Sequence, residues 1–284
     1  MKIKNHRFNV YRYQILPVDR YLQGLLFDNI SSIEELLDKK NELMQAYLKA
    51  LDKILVNDSD IIIKSLFDDE ETILYKFAVN RSMVRETNVF TKEELSNWPS
   101  FLVLFWNKPD KQYLIVEDRK LAYRESDTIV KSIEKYLSTK LRDRQLTIRF
   151  ESLFNEEDFW HIIENNIDRI KDINFELITP NMANISAVLS DELKDFAVST
   201  NTTRTQLLIA SDSEASLNIS TNNKMINSLV KYSSEGGGNI SIKIKGLYRR
   251  IHTSKTKKYF EIEEAEISRC TPDETVRLFK GFLQ

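Results

Sequence analysis

The chain has one cysteine, three histidines, six glycines and five prolines in 284 residues, and each scarcity closes off a class of protein. Cys270 alone cannot make an internal disulfide, so a secreted disulfide scaffold is excluded and a reducing, cytoplasmic setting is expected. His6, His161 and His252 fall on three distant segments without zinc-ligand spacing, so the sequence points to no metal site. Sparse Gly and Pro predict long regular elements and few loops. No run approaches the roughly 18 apolar residues that a membrane helix requires. The basic start, Met1 to Arg7, leads into an alternation of Phe8, Val10, Tyr11, Tyr13 and Ile15 with polar residues, which reads as a strand and not as a targeting segment. Net charge is also small, −2, so attraction to a polyanion has to come from local clustering.

What is present is a core. Apolar residues make up 42% of the chain, enough to fill one large domain or two smaller ones. Ser32 and Glu35 form a capping-box pattern, and Ile33, Leu36, Leu37, Leu43, Tyr47, Leu48, Leu51 and Ile54 recur at three- and four-residue steps, predicting a long amphipathic helix. Two β-rich runs, Asp60 to Phe67 and Thr72 to Asn80, flank the acidic turn Asp68-Asp69-Glu70-Glu71 and suit a hairpin. Thr91 to Glu94 reads as the capped start of a short helix that ends near Trp98-Pro99, which sets an expected boundary between residues 1–99 and 100–284.

Beyond that point strands and helices alternate. A hairpin joins Phe101–Trp106 to Gln112–Val116, and helices near 127–141, 156–168, 181–198 and 222–232 are interleaved with strands at 146–150, 173–178 and 205–210. A final pair, 239–245 and 259–267, flanks a basic loop, and Thr271-Pro272 opens a terminal helix. The expected fold class is α/β in the mixed α+β sense, a mixed sheet with helices packed on it, preceded by a strand, long helix and hairpin. The region from Phe101 onward is expected to build one such sheet.

Fingerprints of catalysis are missing. There is no Gly-x-x-x-x-Gly-Lys-Ser/Thr loop and no Gly-x-Gly-x-x-Gly between strand and helix, so no nucleotide cofactor is expected. Gly236-Gly237-Gly238 precedes a strand, which denies it the helix N-terminus of a phosphate cradle. No nucleophile elbow occurs and nothing around Cys270 forms a signature. The acidic turn reads as solvated, since consecutive carboxylates diverge from a common metal. Asp118 with Lys120, or Asp172 with Glu176, are the pairs from which a dispersed metal nuclease would have to be built, although Glu117 and Lys120 have the wrong face relationship. The balance is against an enzyme.

One feature carries chemistry. Lys243, Lys245, Arg249, Arg250, Lys255, Lys257 and Lys258, with His252 among them, occupy a stretch from Asn239 to Phe260 that contains no acid. Tyr248 and Tyr259 interleave, a mixture that grips phosphates while offering a ring to a base. Lys243 and Lys245 share one strand face, opposite Ile242 and Ile244. The competing account is an edge hairpin kept soluble by lysine, with Glu261, Glu263, Glu264 and Glu266 neutralising it across the strands.

Phe8-Asn9-Val10, the pair Phe101–Trp106 and Tyr113–Glu117, the helix after Ser126 and the segment Asn174–Asn181 together resemble an uncharacterised bacterial family, domain of unknown function 4747. The resemblance covers most of the chain through pattern and order of elements. It implies a setting in phage defence or mobile elements and supplies no catalytic residues. Three functions stay open: a nucleic-acid-binding component using the basic hairpin, an assembly subunit that binds a protein partner or its own copy, and an unrecognised metal-dependent nuclease. No membrane partner is expected.

Overall fold

The computed structural model describes residues 4–21, 30–56, 59–179, 190–212 and 214–283. In chain order these carry β1 (Asn5–Pro17), α1 (Ile33–Lys49), β2 (Lys53–Val56), β3 (Ser59–Asp68), β4 (Thr72–Val79), β5 (Met83–Glu86), β6 (Lys92–Leu95), β7 (Ser100–Lys108), β8 (Lys111–Glu117) and α2 (Ser126–Leu141). They continue with β9 (Leu146–Ser152), α3 (Glu156–Glu164), β10 (Ile170–Ile178), α4 (Asp191–Ser199), β11 (Arg204–Ala210) and α5 (Lys224–Tyr232). The last elements are β12 (Gly238–Ile244), β13 (Ile251–His252), β14 (Tyr259–Glu263), α6 (Glu264–Ile267) and α7 (Pro272–Gly281). This is the mixed α+β class that the sequence pattern implied. Among the described residues no helix is long and apolar enough to cross a membrane.

Two compact units divide the chain. The first comprises Met1–Asn9, Asn41–Leu141 and Tyr259–Gln284; the second comprises Val10–Lys40 and Arg142–Lys258. In the first, strands follow the order β14-β1-β8-β7-β4-β3-β2, where β1 enters through its first residues. The hairpins β3–β4 and β7–β8 form as expected, and β4 pairs antiparallel with β7, so residues 99 and 100 lie inside this unit. Phe77, Phe101, Phe105 and Tyr75 pack edge-on or tilted between the sheet strands, and Phe8, Phe260 and Phe279 form a second buried aromatic group. Asn41, Gln45, Asn107 and Gln112 form a buried polar group, with Asn107 Nδ2 donating to Asn41 O at 2.7 Å and to Gln45 Oε1 at 3.0 Å.

The second unit holds the other half of β1, which pairs antiparallel with β9, and a four-stranded sheet in the order β11-β10-β12-β13. Its core runs along one face of β10 and β12, where Ile173, Phe175, Ile240, Ile242 and Ile244 are fully buried beneath Phe159 of α3 and Leu229 of α5. The two-residue period of those strands leaves Asp172, Asn174, Ser241 and Lys243 on the opposite face. Asn223 caps α5 by accepting from the amides of Met225 and Ile226, both at 3.1 Å.

Several expectations shift. The region after Phe101 does not make one sheet, because β7 and β8 join the first unit while β10, β11 and β12 build their own in the second. Thr91 to Leu95 is not helical: β6 pairs with β5 as a two-stranded hairpin. In α1, Glu35 accepts from the amide of Ser31 at 3.0 Å, one residue earlier than a capping box requires, while Ser32 Oγ accepts from the Glu35 amide at 3.2 Å. The long expected helix from Asn181 lies partly outside the described residues, and α4 covers its end.

Candidate nucleic-acid interface

The basic stretch begins where β12 leaves the sheet. β12 pairs with β13, Ser241 opposite His252 and Ile242 opposite Ile251, so the hairpin closes around residues 245–250. It does not close against 259–267, as the sequence suggested. Tyr259–Glu263 instead pairs with β1 in the first unit, Arg7 opposite Glu261 and Asn5 opposite Glu263. Glu264 there receives Lys4 Nζ at 2.8 Å, and the Arg7 guanidinium stacks 3.6 Å from the centroid of Tyr259. Of the acids expected to neutralise the patch, Glu261 accepts from Asn5 Nδ2 at 3.2 Å and Glu264 pairs with Lys4, and one of the two expected rings, Tyr259, is taken by Arg7.

Within the hairpin the cations divide by task. Lys243 donates from Nζ to Leu247 O at 2.8 Å and to Tyr248 O at 3.0 Å. Arg250 pairs with Asp172 and donates from Nε to Ser241 Oγ at 3.0 Å. Asp172 sits opposite Lys243 in the β10–β12 register, which places this carboxylate on the outer face beside both cations. Lys245 and Arg249 are exposed, Gly246 turns the chain at φ +85°, and Tyr248 is 95% exposed. His252 is half-buried on the strand beside Ser241.

Lys255, Lys257 and Lys258 form a second group. Thr253 Oγ1 accepts from Ile240 N at 3.0 Å and the Ser254 amide donates to Asn239 Oδ1 at 3.2 Å, which ties this segment to the opening of β12. Asn239 and Lys245 are separated by the length of the strand, about 20 Å at roughly 3.3 Å per residue. The uninterrupted run of seven cations in sequence is therefore two clusters in space. Lys257 forms an isolated bridge with Phe154, and its Nζ lies 6.0 Å from the ring centroid of Tyr11, whereas Lys255 and Lys258 are exposed.

A residue that the sequence reading passed over joins the first cluster. Arg169, just before β10, donates to Lys245 O from Nη2 at 2.9 Å and from Nε at 3.3 Å. The Lys245 amide returns a bond to Arg169 O at 2.7 Å. Only the antiparallel pairing of β10 with β12 brings Arg169 there, and no local pattern announces it.

The remaining candidates resolve individually. Gly236 adopts φ +84°, and a Cβ on Gly238 would stand 2.0 Å from Glu176 O, so the glycine run serves close packing of backbone. Tyr232, which precedes it, is fully buried and donates to Ile178 O at 2.6 Å; burial raises its hydroxyl far above the ordinary range and keeps it a neutral donor. Glu117 is held between His6 Nδ1 at 2.6 Å and the Leu102 amide at 2.8 Å, and Asp118 meets Lys120 at 2.9 Å. Glu176 accepts from Gln206 Nε2 at 3.3 Å. In the acidic turn, Asp69 Oδ1 accepts from the amides of Glu71 and Thr72, an Asx-type turn, and Asp68 meets Lys49 at 3.3 Å. Among the described residues no group of three acid, His or Cys side chains is placed to hold a metal ion. His161 lies in the last turn of α3, and Cys270 is a half-buried free thiol before α7.

Compared with protein-family models and with curated proteins, the chain matches none.

Proposed function

We propose that this protein is a nucleic-acid-binding component that grips phosphates with the basic surface of its second unit, and that it acts in bacterial antiphage defence. The observation that supports binding is the β12–β13 loop, where Lys245 and Arg249 project into solvent while Asp172, across the sheet on β10, is matched by Arg250. Lys255 and Lys258 extend the positive surface at the far end of β12. The defence setting rests on the resemblance to family 4747 in the order of its elements.

The test measures affinity for mixed-sequence DNA and RNA by fluorescence anisotropy between about 50 and 200 mM salt. A Lys245→Ala/Arg249→Ala/Lys258→Ala variant should bind more weakly and lose about one unit of salt slope per phosphate contact removed on duplex DNA. Arg250 is left out of this set because its bonds to Asp172 and Ser241 make it part of the fold. An unaltered slope and affinity in the folded variant would return the patch to plain solvation.

A second reading, an assembly subunit, has its own observation. The β5–β6 hairpin exposes Met83, Val84, Val89 and Phe90, an apolar set suited to a protein surface. Recovery of a stoichiometric protein partner that is lost on replacing Phe90, without nucleic acid, would favour it.

A further inference from the structure

We infer that the β12–β13 loop takes single-stranded nucleic acid, stacking one unpaired base on Tyr248 while Lys245 and Arg249 hold the flanking phosphates; this rests on the nucleic-acid reading above and narrows it to a substrate class.

Holding an aromatic ring in water forgoes the gain of burying it. Tyr248 is 95% exposed at the tip of a tight hairpin, with Leu247 beside it 41% exposed. Hydrophobic burial and cross-strand packing both favour tucking such a side chain against the sheet. The loop does the reverse, and it is braced in that shape from three sides. Lys243 Nζ bonds the two carbonyls that precede and include the ring residue, at 2.8 and 3.0 Å. Arg169 clamps Lys245 O with two donors, and Arg250 anchors the returning strand to Asp172 and Ser241. Gly246 supplies the left-handed turn between them, and the Leu247 amide closes it on Ile244 O at 3.1 Å.

Three long cationic side chains are thus ordered to fix about five residues of backbone, and side-chain ordering of this kind opposes folding. The result is a preorganised platform: a ring held outward, a positive charge on each side of it, and no acid in the loop itself. Preorganisation favours a ligand by removing ordering cost from the binding step. A ring of this kind matches a base only when the base is unstacked. Duplex bases present edges in grooves, whereas single strands, loops and ends present π-faces next to a backbone that cations can follow. The pairing of one aromatic face with flanking cations is therefore the signature of single-strand contact, and it contains no hydrogen-bonding code for sequence.

The experiment compares labelled single-stranded RNA and DNA oligonucleotides with a blunt duplex of the same sequence. Wild type should prefer the single strands. Tyr248→Ala should weaken single-strand binding about 5- to 150-fold, the range for loss of one stacked base, and change duplex binding by less than about 2-fold; Tyr248→Trp should restore it. Lys243→Met tests the bracing. It should weaken single-strand binding while leaving the salt slope unchanged, because Lys243 positions the loop and meets no phosphate. If Tyr248→Ala leaves single-strand affinity intact while the Lys245/Arg249/Lys258 variant loses it, stacking is overturned and phosphate binding survives. If neither set of changes affects binding, both readings fall. A fall in salt slope on Lys243→Met would overturn the bracing role and make Lys243 a phosphate contact.

Discussion

Two hairpins in this molecule each lift an aromatic ring to 95% exposure, Phe90 in the first unit and Tyr248 in the second, and they are built differently. Around Phe90 the turn is closed by hydroxyls, Thr87 Oγ1 and Thr91 Oγ1 lying 2.7 Å apart, and the flanking charges are of both signs, with Arg85 paired to Glu93 at 2.9 Å. Nearly every residue of β5 and β6 is exposed. Around Tyr248 the turn is closed by lysine and arginine, and the strand that carries it is rooted in the core through Ile240, Ile242 and Ile244. Exposure of a ring says little by itself; what holds the turn decides which partner the ring can meet. A neutral apolar tip suits protein, and a cationic tip suits a polyanion.

The contrast can be broken at the root. Gly238→Ala would drive a methyl into Glu176 O and displace β12 from β10, with an expected loss of more than about 3 kcal/mol and exposure of the whole hairpin to exchange. Shortening the β5–β6 turn should cost under about 0.5 kcal/mol, since its residues bury little. Urea titration of both variants checks the pair; equal losses would dissolve the distinction between a rooted and a free hairpin.

Lys40 sharpens the point about what it takes to hold a cation. It is 7% exposed, and burial first, then the charge of Arg20, lowers its pKa to about 8, against a smaller opposing effect of Asp38. Below about pH 8 folded and unfolded chains both carry the proton and the destabilisation is complete; as pH rises from there toward the ordinary lysine range the unfolded state binds more protons, so stability should rise. Lys40→Met should stabilise the protein at pH 7 by about 1–3 kcal/mol and flatten that rise. Denaturation midpoints at pH 7 and 10 measure both, and a variant less stable at pH 7 would show that Lys40 is held favourably after all.

Arg250 and Arg85 give the next comparison. Arg250→Ala strands the partly buried Asp172 and should cost about 1–3 kcal/mol, whereas Arg85→Ala removes an exposed pair and should cost under about 1 kcal/mol. The smallest effect is reserved for Phe90→Ala, which should leave nucleic-acid affinity within about 2-fold and stability within about 0.5 kcal/mol. A large drop in affinity there would show that the first unit also contacts the ligand.

Local elements were readable where periodicity and caps agree. The β3–β4 and β7–β8 hairpins, α2, α5 and the start of α7 at Thr271-Pro272 all follow from alternation, stripe or cap. Partner choice was not readable. Tyr259–Glu263 has the alternation of a hairpin strand, yet its mate is β1, some 250 residues earlier, because Phe260 and Ile262 complete the core that holds Phe8 and Phe279. Lys92–Leu95 carries helix-forming residues after a capping threonine, and the cross-strand pair Arg85–Glu93 with the Thr87–Thr91 contact outweighs that propensity. For the interface, composition located Tyr248 and its cations. Nothing in a linear reading could separate Lys245 and Arg249, which face outward, from Lys243, which turns back onto Leu247 O and Tyr248 O, and Arg250, which is held by Asp172 of β10 and by Ser241 across the β12–β13 pair.

The pairing of β1 with β14 also governs how the chain acquires its shape. Asn9 meets Tyr259 across an interval that a ribosome takes roughly 10–50 s to synthesise. Once β8 has emerged, the first half of β1 can rest beside it, with the Asp118 amide donating to Arg7 O at 2.7 Å, while the other edge of that half has no mate until β14 follows. The nascent chain therefore carries a half-satisfied strand between the making of β8 and that of β14, and a circular permutant that places β14 directly ahead of β1 should reach the native state faster while ending no more stable.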